Sequence, residues 1–118
     1  MYLVEDLYRE YGEELGFKLI AGKKGFSRRI RVPEAHRPGL SLAGYLKSHA
    51  EKRILILGKV EMEYLKFLDP KTRVERLSSI LNTKVPALIV ARRYRPLKEL
   101  VTLCEERKVP LFKAPMTT

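Results

Sequence analysis

Few side chains in this sequence are of the types that make or break bonds, and their spacing does not gather them. His36 and His49 are the two histidines, far apart, with no cysteine or carboxylate cluster at the spacing a metal site uses. Cys104 is the single cysteine. It falls on the apolar stripe Leu97, Leu100, Val101, Cys104, where a thiol serves as a small core residue; a nucleophile needs an electropositive, partly exposed setting. Glu61 and Glu63 stand two positions apart on a predicted helix, so they diverge around it and do not converge as an acid–base pair. Gly16–Lys24 brushes against a phosphate-binding P-loop and fails. Five residues separate Gly16 from Gly22, Lys24 stands where a magnesium-binding hydroxyl belongs, and the intervening residues are apolar. No complete active site is legible, and none of these residues is assigned to catalysis, to a cofactor or to a metal.

Binding chemistry is better represented. Lys and Arg total 24 against 14 Asp and Glu, a net charge of +10. The excess is uneven: residues 1–17 carry −4, residues 18–53 carry +8, residues 54–84 carry +2 and residues 85–118 carry +4. Lys18, Lys23, Lys24, Arg28, Arg29, Arg31 and Arg37 form one concentration, and Arg92, Arg93 and Arg95 a second. Such clusters suit phosphate-bearing or acidic partners; equally, they form a solvated face. Arg37, Arg92 and Arg93 are the candidate anion or partner contacts. Arg37 precedes Pro38, which holds it extended at a loop tip, though the same loop reads structurally as one that packs Leu40, Leu42 and Tyr45 against the sheet. Arg93 and Arg95 follow a predicted buried strand, at the edge where open α/β sheets place ligands.

The elements that must position these residues follow from periodicity. With 118 residues, 45% of them hydrophobic, the chain can bury a core without disulfides or metals, and one cysteine fits a reducing cytosol. No stretch approaches the length of a membrane span. Val4, Tyr8, Tyr11 and Leu15 predict a helix over 3–15, stopped at Gly16. Residues 17–21 predict a short strand, 22–25 a turn, and 28–32 a second, exposed strand. Residues 33–44 read as a loop. Ile54–Leu57 predicts a buried strand, and residues 60–68 a helix with Val60, Tyr64, Phe67 and Leu68 inward. Asp69 and Pro70 are N-cap and first residue of the next helix, with Val74, Leu77, Ile80 and Leu81 inward. A strand over 87–90, a helix opened by Pro96 and a strand over 109–112 complete the series. Strands alternating with helices predict an α/β fold with a mostly parallel central sheet flanked by helices.

Ordered pieces of this chain resemble the N-terminal domain of the HPr kinase/phosphorylase family. They are Val4-Glu5-Asp6-Leu7, Leu19-Ile20-Ala21-Gly22 with Gly25 and Arg29-Ile30, Arg37-Pro38-Gly39-Leu40 and Leu42-Ala43-Gly44-Tyr45. Further along come Arg53-Ile54, Leu57-Gly58 with Glu61 and Tyr64-Leu65, Pro86 through Arg92, Pro96, Leu100 and Val109-Pro110-Leu111. The resemblance implies a single domain over 1–118 with a fold similar to the N-terminal domains of Mur ligases. It also implies a cytoplasmic, homohexameric enzyme that phosphorylates a serine of the phosphocarrier HPr with ATP or pyrophosphate. The same enzyme removes that phosphate by phosphorolysis, in carbon catabolite repression. ATP or pyrophosphate with magnesium belongs to a C-terminal P-loop kinase domain that this chain lacks, so the chain alone is expected to be a non-catalytic assembly or regulatory domain. A basic nucleic-acid-binding module and a small-anion effector module are the alternatives; aromatic residues that do not interleave with the basic cluster argue against nucleic acid.

Overall fold

The computed structural model describes residues 1–31, 38, 52–81, 84–92 and 94–115. Helix α1 spans Val4–Leu15 and ends at Gly16, whose left-handed backbone (φ 72°) closes the helix as its spacing predicts. Its first N–H groups are satisfied by backbone: Val4 donates to the Arg28 carbonyl and Glu5 to that of Phe26, each at 3.0 Å. The Asp6 carboxylate accepts from the Leu3 N–H at 2.9 Å, which lowers its pKa. Strand β1, Lys18–Ala21, leads through a 3₁₀ turn at Lys23–Gly25. The expected strand over 28–32 is not a strand of the sheet. Its described part makes one antiparallel bridge, Arg29 with Leu3, because residues 2–4 are its pairing partner and α1 begins at once.

The rest alternates as predicted: β2 (Leu55–Leu57), α2 (Lys59–Phe67), α3 (Pro70–Ile80), β3 (Leu88–Val90), α4 (Lys98–Arg107) and β4 (Leu111–Lys113). The sheet is open and mixed, in the order β1-β4-β3-β2. Strands β2, β3 and β4 are parallel, and β1 adds antiparallel to β4. Period-two alternation sorts its residues onto two faces. Leu55, Leu57, Leu88, Val90 and Leu111 pack under α2, α3 and α4 with Met62, Leu65, Leu77, Ile80, Leu100 and Cys104. Ala87, Ile89, Phe112 and Ala114 face the other way, onto Val4 and Tyr8 of α1 with Phe17, Leu19 and Phe26. Phe112 is the centre of that second cluster, with the rings of Tyr8, Phe17 and Phe26 at 5.2, 5.3 and 6.2 Å. Successive crossovers β2→β3→β4 step in one direction with their helices on one face, as parallel connections of a single hand require.

The register of α2 differs from expectation. Met62 and Leu65 are buried, whereas Val60 and Phe67 are 63% and 86% exposed. The cause is Glu61, buried at the start of the helix, whose Oε1 accepts the Gly58 N–H at 2.7 Å. That cap fixes the rotation of the helix and turns the neighbouring 62/65 stripe inward. Tyr64 and Leu68 are half-buried against the same core. Val74 is likewise at the surface, while Leu77, Ile80 and Leu81 are buried as predicted. Between the helices, Leu68 is extended and Asp69 caps α3 by accepting from the Thr72 N–H and hydroxyl, at 3.2 and 2.7 Å.

Candidate functional site

The residues of the first basic concentration resolve into two uses. Gly22 (φ 78°) and Gly25 lie against the link between α4 and β4, so close that a Cβ at Gly22 would stand 1.9 Å from the Val109 carbonyl oxygen, and one at Gly25 1.9 Å from that of Lys108. Only glycine fits either place. Arg28 then spans the junction. Its Nε donates to the Lys108 carbonyl at 2.7 Å, one Nη to Val85 at 2.8 Å and the other to Arg107 at 2.9 Å. Burial lowers its pKa, but two carbonyls at the C-terminus of α4, the negative end of the dipole, and that of Val85 before β3 hold the cation. Lys23 and Lys24, by contrast, are exposed on the turn.

Two more arginines perform the same task elsewhere. Arg107 donates to the Ser78 and Leu81 carbonyls at 2.9 and 2.6 Å, closing α3. Arg73 donates to Leu65 and Leu68 at 2.8 and 3.0 Å, closing α2, and pairs with Glu99 at 3.2 Å. Part of the positive charge is therefore internal structure: guanidinium groups satisfying helix-end carbonyls.

Other cations collect at the carboxyl edge of the parallel strands. Arg92, two residues past the end of β3, is exposed and adopts a left-handed backbone with φ 57°. Arg95 and Lys98, from the connection and first turn of α4, line an open groove of about 540 Å³ with Ile20, Pro96, Val101 and Thr102. Lys66 lies over the Tyr94 ring at 5.9 Å. Of the three predicted contacts, Arg92 is therefore at this edge, while Arg37 and Arg93 fall outside the described residues, as do His36 and His49. Lys98 and Ile20 were not legible as site residues, because only the antiparallel docking of β1 beside β4 brings strand and helix together.

Among the described residues, Cys104 and Glu61 are committed to the scaffold. The Cys104 thiol is buried and its pKa is pushed up to about 12 by desolvation, the opposite of an activated thiolate. Glu61 caps α2. Gly16–Lys24 does not fit a nucleotide: its middle is β1, with Leu19 and Ile20 turned into the two cores. Among the described residues no three metal-ligating side chains gather, and no helix is long and apolar enough to cross a membrane. A second groove, about 440 Å³, lies between α1 and Ile30, with Tyr2 donating to the Glu10 carboxylate at 2.9 Å and its phenol pKa raised to about 12, chiefly by desolvation and also by that bond.

The fold and the ordered motifs agree with one comparison. The family model described as HPr Serine kinase N terminus matches residues 3–118. The pieces that carry the likeness have structural roles: Leu19–Gly22 and Gly25 form the strand and turn against the α4–β4 link, Leu57-Gly58 with Glu61 the capped strand–helix junction, and 86–91 the inner strand β3 with its flanking residues. The chain belongs to the HPr serine kinase N-terminal family.

Proposed function

We propose that this chain is the non-catalytic N-terminal domain, serving assembly or regulation, of a bifunctional HPr serine kinase/phosphorylase. In that reading the enzyme is a cytoplasmic hexamer acting in carbon catabolite repression. It phosphorylates HPr on a serine with ATP or pyrophosphate and reverses the reaction by phosphorolysis, its P-loop and magnesium residing in a separate kinase domain. The observation that carries the reading is the family match over residues 3–118. The commitment of Glu61 and Cys104 to the scaffold is consistent with it. A nucleic-acid role has less support: three aromatic rings are spent around Phe112 in the core and offer no stacking platform.

The test is transfer of phosphate to purified HPr. The chain alone, with magnesium and ATP or pyrophosphate, is expected to give no phosphoserine by mass spectrometry. Supplying it to a kinase domain of the same family is expected to change that domain's oligomeric mass, read by light scattering, or its rate. Transfer by the chain alone, or a kinase domain indifferent to it in both mass and rate, overturns the proposal.

A further inference from the structure

Among the described residues, the sheet's carboxyl edge holds like charges that form no ion pair with a carboxylate. Lys18 of β1 and Lys113 of β4 are direct cross-strand partners. Both face the side of the sheet that carries α4, since their neighbours Leu19 and Phe112 pack on the opposite side and Ile20 and Leu111 on this one. Facing like charges disfavour an antiparallel pair. Arg95 and Lys98 add two cations at the groove beside Ile20. None of the four has a carboxylate within ion-pair distance; among the described residues the ion pairs are Arg9–Asp6 and Arg73–Glu99. Of the acids of α4, Glu99 pairs with Arg73 and attracts Lys98 only as the weaker neighbour, and Glu105 accepts from the Gly22 N–H at 3.4 Å. No acid is among the residues lining the groove.

Shape and lining narrow the occupant. The groove floor is aliphatic (Ile20, Pro96 and Val101), with the Thr102 hydroxyl and two cations beside it. Bases would need aromatic faces to stack on, whereas aliphatic side chains of a protein fit such a floor. The four cations come from three segments, Lys18 from β1, Lys113 from β4, and Arg95 and Lys98 from the approach to α4 and its first turn, a number suited to several carboxylates. Strand addition is also discouraged: β1 is an edge strand, but a register shift between Leu19 and Ala21 and the lysine at its start blunt that edge. Recognition is therefore by side chains.

We propose that the groove between β1 and α4 docks an acidic, amphipathic segment of a partner protein. Its apolar side chains rest on Ile20, Pro96 and Val101, and its carboxylates meet Arg95, Lys98, Lys18 and Lys113. The probe is a short fluorescein-labelled peptide alternating glutamate and leucine, titrated into the whole chain at low salt. Saturable binding is expected, with amide shifts at Ile20, Lys98 and Val101 in nitrogen-15 spectra of the unaltered protein. Reversing the charges (Arg95→Glu with Lys98→Glu) is expected to raise Kd about tenfold. The equal charge change at Lys23→Glu with Lys24→Glu, on the exposed turn, is expected to leave it within about twofold. No saturable binding, equal loss in both double variants, shifts mapping elsewhere, or single-stranded DNA binding more tightly than the peptide would overturn the proposal.

Discussion

At the scale of single residues, this protein uses arginine as a staple. Arg28 reaches three carbonyls from two separate segments, the end of α4 and the approach to β3, and a planar fork with donors on several sides is what that arrangement needs. Lysine carries the same charge with a compact ammonium that cannot span them. We expect Arg28→Lys to destabilise the chain by about 2 kcal/mol, the range for hydrogen bonds to charged groups, measured by urea unfolding; an unchanged midpoint would mean that the three bonds contribute nothing net. Sequence alone places Arg28 within a basic cluster that reads either as a solvated face or as a surface for an anionic partner. Nothing local distinguishes it from Lys23 or Lys24, because its acceptors lie on the far side of the sequence, in the α4–β4 link and at Val85. The basic cluster was legible; its division into internal caps and exposed charge was not.

Among the elements, α3 and α2 show where periodicity suffices and where it does not. Asp69-Pro70 announces α3 by local chemistry that needs no tertiary context, and the structure has the cap as expected. Helix α2 carries two overlapping apolar stripes, and an exposed Val60 and Phe67 compete on paper with Met62 and Leu65. The deciding residue is a buried glutamate, the type least expected inside. Substituting Val60 or Phe67 by Ser is accordingly expected to change stability by less than about 0.5 kcal/mol, whereas Met62→Ala or Leu65→Ala is expected to cost about 2–5 kcal/mol. Thermal and chemical denaturation of the four variants checks this; a large loss at Phe67 would place that ring against a packed surface. The short bridge at Arg29 has a similar lesson. Alternation over 28–32 predicts an exposed strand, but the partner available to its described part is the short approach to α1, which allows only one bridge.

For the molecule as a whole, the alternation of strands and helices from Ile54 onward made the parallel part of the sheet legible, since each unit is closed by contacts near in sequence. The antiparallel attachment of β1 was not, because nothing in its four residues specifies β4 as neighbour. The candidate groove shared that fate, being made of β1 on one side and α4 on the other. Charge at this scale divides in two: arginines turned inward onto helix ends and, among the described residues, cations at the carboxyl edge outside any ion pair. The second kind is what a partner would sense first.

The pairing of β1 with β4 also carries a consequence for how the chain reaches its native state. Joining them closes a loop of most of the chain, and the entropy of that closure is recovered only after β4 exists to receive the strand. The segment from β2 to β4 assembles through short closures, so residues 1–31 dock late, onto the Phe112 face. Late docking and early release are the same step in reverse. Native-state hydrogen exchange is therefore expected to show amides of β1 opening at lower free energy than those of β3, with the Arg28→Lys change lowering protection of residues 1–31 selectively. Uniform protection across β1 and β3 would instead make the whole chain one cooperative unit. If the two-step order holds, the edge strand is a latch: the last piece to fasten is also the wall of the groove, so the groove exists only in chains that have finished folding.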